Sequence, residues 1–182
     1  DISKLAELLN EYRNLNRKNY VEESLASLDE AVAQVDLVTI YYTAEQVAEW
    51  EYKISEAFEK IELLPADYSE ISEMIQRAYS IDRSLYTTES LAVLDKAVEA
   101  VESDIGIDEQ NRVDKFAYDI ANALFSLKYL PANYDSVYCA IEESKKIDRR
   151  LYSQESLTVL DQSISSVNYA LNITEQEKVD GF

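Results

Sequence analysis

The side chains with most chemistry to offer in this sequence are carboxylates and phenols: 36 aspartates and glutamates and 14 tyrosines, against one cysteine and no histidine. Without histidine the chain lacks the commonest acid-base residue and the commonest metal ligand. Carboxylate catalysis needs two groups converging on one cleft, and no repeated pair suggests one. The recurring Glu23, Glu89 and Glu155 fall where helix first turns are expected, and there the helix dipole alone favours a negative charge. Neither an EF-hand spacing nor a glycine-rich phosphate loop is present. No catalytic residue, cofactor or metal site is expected, and the chain reads as a non-enzyme.

The tyrosines suit binding, because an exposed phenol offers a flat apolar face for a sugar ring and a polar edge for a hydrogen bond. Many of them recur at a fixed interval: Tyr20, Tyr86 and Tyr152; Tyr52 and Tyr118; Tyr68 and Tyr134. Recurrence points to packing, with a repeated weak sugar site as the alternative. Tyr41, Tyr42, Tyr79, Tyr129, Tyr138 and Tyr169 do not recur, so they are the candidates for a specific ligand contact. Cys139 stands opposite Glu73 in the repeat and has no basic neighbour to activate it, so it is expected to be an inert thiol. Arg17, Arg83 and Arg149 recur, with Asp82 and Asp148 alongside in two copies; a structural ion pair at the end of each first helix is expected.

That interval is 66 residues without a gap. Tyr20-Val-Glu-Glu-Ser-Leu25, Tyr86-Thr-Thr-Glu-Ser-Leu91 and Tyr152-Ser-Gln-Glu-Ser-Leu157 are copies of one phrase, and Pro65 and Pro131 keep the same offset. Sliding residues 68–116 onto 134–182 gives roughly 20 identities in 49 pairs, the signature of a tandem array. The expected units are 1–66, 67–132 and a partial third at 133–182, which holds two helices and the start of another.

Helices must carry this array, because the chain has only two glycines and two prolines, far too few for a turn-rich β fold. Val47, Trp50, Ile54, Ala57, Ile61 and Leu64, and again Val113, Phe116, Ile120, Ala123, Leu127 and Leu130, follow the 3-4-3-4 spacing of one apolar stripe per helix. Asp1, Asp67 and Asn133 are N-cap candidates for the first helix of each unit, with Glu70 completing a capping box. Thr87 and Ser153 serve the second, where Val21 caps more weakly. Thr43, Asp108 and Thr174 open the third, Thr43 with Gln46 and Thr174 with Glu177 at capping-box spacing. The expected architecture is all-α: antiparallel three-helix bundles of about 15–20-residue helices, stacked end to end by their odd helix count in an elongated rod of about 80 Å or more. Pro65 and Pro131 mark very short joints, at which helices either end or kink.

The phrase Ile-Asp-Arg-x-Leu-Tyr-(Thr/Ser)-x-Glu-Ser-Leu-x-Val-Leu-Asp at 81–95 and 147–161, followed by Glu-Gln-x-x-Val-Asp at 109–114 and 175–180, resembles the FIVAR module, a helical repeat of bacterial surface proteins. Unit one departs most: Asn16-Arg17-Lys18-Asn19-Tyr20 replaces Ile-Asp-Arg-x-Leu-Tyr in part, and Glu45-Gln46-Val47-Ala48 lacks the Val-Asp spacing. The resemblance implies an extracellular, cell-wall-associated or secreted bacterial protein, and it brings no catalytic residues.

A formal net charge of −19 argues against nucleic acid and anionic membrane surfaces as partners, since both are held by Lys and Arg. No apolar run approaches the length of a membrane span, so no membrane insertion is expected. A semi-rigid, monomeric spacer is the leading expectation. The alternative is a binding module for a host protein or polysaccharide, either in an adhesin or beside a carbohydrate-active enzyme.

Overall fold

The computed structural model describes residues 2–36 and 42–182; Asp1 and Tyr41, named above, lie outside them. Among the described residues the chain is all-α, without a β-strand. The α-helices are α1 (Ser3–Asn14), α2 (Glu22–Ala33), α3 (Ala44–Phe58), α4 (Ser69–Ser80), α5 (Thr88–Glu99), α6 (Gln110–Phe125), α7 (Asp135–Lys145), α8 (Gln154–Ser165) and α9 (Gln176–Asp180). Most are shorter than expected, typically 12 residues.

The chain forms two compact units, Asp1–Ile71 with Val101–Lys115, and Ser72–Ala100 with Phe116–Phe182. In the first, α3 packs on both α1 and α2. Leu5 and Leu9, Leu28 and Ala31, and Val47, Ile54 and Ala57 share one core, with Trp50 half-buried against it. Val47, Ile54 and Ala57 are the expected stripe, and removing a side chain such as Ile54 from water stabilises by about 1.5–3 kcal/mol. In the second unit, Leu94, Ala117, Ile120 and Ala123 are buried, while Ala132, Tyr134, Val137 and Val179 form a separate core. Phe182 shares the repeat register of Trp50 yet is 48% exposed.

The caps divide into those the local sequence announces and those it does not. Thr43 makes the expected capping box with Gln46, and Thr87 and Ser153 accept from the N–H groups of Ser90 and Ser156. Val21 makes no side-chain cap. Asp67 and Asn133 accept from Ser69 and Asp135 N–H at 2.9 and 2.8 Å. Glu70 does not close a box on Asp67, because the Asp67 N–H donates instead to Gln110 Oε1 at 2.7 Å. Before α9 the box is Asn172 with Glu175, not Thr174 with Glu177, since a 3-10 turn at Ile173–Glu175 precedes the helix. A similar turn, Ile107–Glu109, places Asp108 ahead of α6 rather than at its cap.

Pro65 and Pro131 neither kink a continuous helix nor mark a very short joint. Helix α3 ends at Phe58 and α4 begins at Ser69, leaving an extended connector bonded along both flanks. On one side Val21 N–H donates to Glu62 O and Leu64 N–H to Asn19 O, both at 2.8 Å; on the other Ala66 N–H donates to Ile105 O at 2.9 Å and Ile107 N–H to Leu64 O at 2.8 Å. The second unit repeats the arrangement, with Thr87 to Lys128, Leu130 to Leu85, Ala132 to Leu171 and Ile173 to Leu130. Isolated antiparallel bridges result at Tyr20–Leu63, Pro65–Gly106, Tyr86–Tyr129 and Pro131–Asn172. Proline fits because its missing N–H is not required for either set of bonds. These long-range bonds stop the helix, although Ile61 and Leu64 continue its apolar spacing.

Candidate functional site

The motifs most prominent in the sequence turn out to hold the connectors. Ser24 Oγ donates to Val21 O at 2.7 Å and accepts from Glu62 N–H at 3.0 Å, so the serine of Glu-Ser-Leu ties the start of α2 to the connector. Ser90 does the same with Thr87 O and Lys128 N–H. Gln110 completes the other flank: its Oε1 accepts from Asp67 N–H, and its Nε2 donates to Asp67 O at 3.0 Å and to Asp114 Oδ1 at 2.8 Å. Gln176 makes the same set with Asn133 and Asp180. The Gln-x-x-Val-Asp phrase is therefore a latch on a residue 43 positions earlier, with its aspartate orienting the glutamine amide.

The recurring arginines pair as expected in kind but not with their neighbours. Arg17, Arg83 and Arg149 each make two parallel hydrogen bonds to Asp29, Asp95 and Asp161, between 2.7 and 3.1 Å. Asp82 and Asp148 instead accept from the N–H groups of Ser84 and Arg150 at the head of a 3-10 turn. The Arg17 guanidinium holds the Asp29 carboxyl below its ordinary value, aided by the Tyr12 hydroxyl donating at 2.9 Å. That same bond to Asp29 raises the Tyr12 phenol. These pairs are some 41–55% exposed, so solvent screens them and each contributes little to stability.

The tyrosines split by environment rather than by recurrence. Tyr134 is 8% exposed; its hydroxyl donates to Asn168 O at 2.6 Å and accepts from Leu171 N–H at 3.2 Å. Tyr68 makes the matching bonds to Glu102 O and Ile105 N–H. Tyr20 and Tyr86 are half-buried at bridge positions. Tyr52 and Tyr118, however, recur on the outer surface at 67% and 65% exposure, and Tyr152 is also exposed. The period repeats surface positions as faithfully as core ones, so recurrence was no guide to packing there.

Of the candidate contacts, Tyr42 stands tilted to Trp50 with centroids 6.3 Å apart, and Tyr79 stands exposed beside Arg83, Leu94 and Asp95. Tyr129 stacks on Tyr86 at 4.8 Å. Tyr138, from α7, and Tyr169, from the connector after α8, stack at 5.8 Å and 12°, both about half exposed. Tyr134 lies against both rings at 6.2 and 5.3 Å. The repeat-equivalent positions of Tyr138 and Tyr169 are Ser72 and Ser103, so this surface occurs once. Cys139, next to Tyr138, is exposed.

Among the described residues no group of three or more carboxylate or thiol side chains is placed to hold a metal ion, and no helix is long and apolar enough to cross a membrane. The chain matches no family model, and no solved structure matches it.

Proposed function

We propose that this chain is a non-enzymatic spacer segment of a bacterial surface or secreted protein, built to set a distance by joining successive copies of its 66-residue repeat without free linkers. The observation that carries this reading is the connector: Glu62, Leu64 and Ala66 around Pro65, and Lys128, Leu130 and Ala132 around Pro131, take backbone bonds on both flanks, and a glutamine side chain latches the far end. A segment so bonded loses the bending freedom of a polar linker. The surface location rests on the resemblance of the repeated phrases to FIVAR modules. Small-angle X-ray scattering tests it: a monomer whose radius of gyration is well above the roughly 16 Å of a compact body of this length supports spacing. A value at that figure refutes it. Gln110→Ala with Gln176→Ala should broaden the distance distribution if the latches stiffen the chain.

A second reading, a polysaccharide-binding module, is favoured by one observation: the exposed Tyr138–Tyr169 stack seated on Tyr134. The outer ring faces suit the C–H face of a sugar. Titrating neutral oligosaccharides against intrinsic fluorescence tests it, with Tyr138→Ala and Tyr169→Ala expected to abolish any response; a response unchanged in both variants rejects the site.

A further inference from the structure

The connector in the second unit brings two phenols into a geometry that no other described bridge reproduces. Tyr86 and Tyr129 face each other across an antiparallel bridge. The bonds lie on either side of the pair, Thr87 N–H to Lys128 O at 2.8 Å and Leu130 N–H to Leu85 O at 2.9 Å. Theirs is a non-hydrogen-bonded pair, the kind in which side chains come closest. The rings stack with centroids 4.8 Å apart and 19° between planes, and the hydroxyl oxygens are 3.5 Å apart, at the outer limit of a hydrogen bond. Parallel rings with adjacent hydroxyls also bring their ortho carbons together. Tyr129 is 45% exposed, so an oxidant can reach the pair.

We propose that Tyr86 and Tyr129 form an oxidative cross-linking site, at which a peroxidase using hydrogen peroxide joins the two rings as dityrosine and fastens the connector covalently. Each phenol gives up one electron and its hydroxyl proton to become a phenoxyl radical. The radicals couple through one ortho carbon of each ring, and the hydrogens on those carbons return to the oxygens, restoring both aromatic rings. The pair thus loses two electrons and two protons, which reduce one hydrogen peroxide to two waters. Coupling within a bonded connector needs no encounter between chains, so at low protein concentration it outruns intermolecular coupling. The chemistry requires only the ring geometry and stands apart from the spacing role.

The chain supplies its own comparisons. In the first unit the equivalent bridge pairs Tyr20 with Leu63, so the same backbone carries only one phenol. Tyr138 and Tyr169 are also stacked, but at 5.8 Å and without a backbone bridge between them. They are the competing pair.

The test treats the full chain at micromolar concentration, Cys139 alkylated, with a haem peroxidase and hydrogen peroxide. Dityrosine fluorescence is expected in the monomer fraction. A tryptic digest should contain Ser84–Lys96 joined to Tyr129–Lys145, lighter than their sum by two hydrogens, with fragment ions placing the bond at Tyr86 and Tyr129. Tyr129→Leu, which recreates the Tyr20–Leu63 pair, should lower monomer fluorescence by about an order of magnitude. Tyr138→Phe should leave the linked peptides in place. Dityrosine confined to dimers, a bond located at Tyr138–Tyr169 alone, or undiminished monomer fluorescence in Tyr129→Leu would each overturn the proposal. Circular dichroism of both variants, whose replaced rings are exposed, confirms that the comparison is between folded chains.

Discussion

Replacing Tyr134 by phenylalanine deletes one oxygen from a ring that is otherwise buried, and the structure says what that oxygen does. It receives the Leu171 N–H at 3.2 Å and donates to Asn168 O at 2.6 Å, closing the connector between α8 and α9 onto the start of α7. In Tyr134→Phe both backbone groups lose their partner at once. A buried donor or acceptor left unsatisfied costs about 1–3 kcal/mol; Leu171 is only half-buried, so water offsets part of this and about 1.5 kcal/mol is expected. Since about 1.4 kcal/mol is tenfold in an equilibrium, the Leu171 amide should exchange with solvent roughly ten times faster, measured by native-state hydrogen exchange. Tyr68→Phe, acting on Ile105 and Glu102, should give a smaller change of the same kind because Tyr68 is less buried. Tyr138→Phe is the control: its hydroxyl is on the surface, and an effect within about 0.5 kcal/mol is expected. Unaltered Leu171 exchange in Tyr134→Phe, or an equal acceleration in Tyr138→Phe, would refute the clamp.

Three further outcomes follow from the geometry. Ile54→Ala empties a fully buried site in the α1–α2–α3 core and should destabilise the first unit by about 2–5 kcal/mol in urea denaturation. Val21→Thr places a hydroxyl where the backbone, at φ −63° and ψ 124°, closely matches that of the capping Thr87; a gain of about 0.5–1 kcal/mol is expected in the same assay. Asp29 titrates below the ordinary aspartate value of about 4, because Arg17 bonds its charged form. A carboxyl depressed on folding stabilises at any pH above its unfolded value, and that contribution fades as pH falls through the folded value. Arg17→Met should therefore move the Asp29 midpoint up toward the ordinary value, followed by carbon-detected NMR, and should raise the pH at which acid unfolding begins.

The helices and several of their caps were legible because their signals are local. Val47, Ile54 and Ala57 lie one turn apart, and Thr43, Thr87 and Ser153 cap N–H groups three residues away. The connectors were not, because their partners are remote. Ile61 and Leu64 keep helical spacing, yet the chain leaves the helix at Phe58 to bond Asn19 and Ser24, and nothing near Leu64 announces that. The glutamines Gln110 and Gln176 recurred in plain sight, but a side chain that serves a peptide 43 residues earlier leaves no local pattern. The arginine pairings were misplaced for the same reason, since adjacent Asp82 was nearer in sequence than Asp95. Among the tyrosines, non-recurrence named Tyr138 and Tyr169 as candidate contacts one by one, but only the fold brings a ring from α7 against one from a distant connector.

The latch on each connector has a genetic consequence. Gln110 and Asp67 belong to one copy of the repeat, as do Gln176 and Asn133, and beside these latches the backbones of Ile105 and Ile107, and of Leu171 and Ile173, bond the tail of the copy before. Any recombination event that inserts or deletes a whole period, wherever in the repeat the crossover falls, restores every donor to an acceptor of the same kind. An event of any other length strands a glutamine and an extended segment without partners. A gene built this way can gain or lose copies in single steps with each intermediate still foldable, and so can tune the number of units without redesigning any of them.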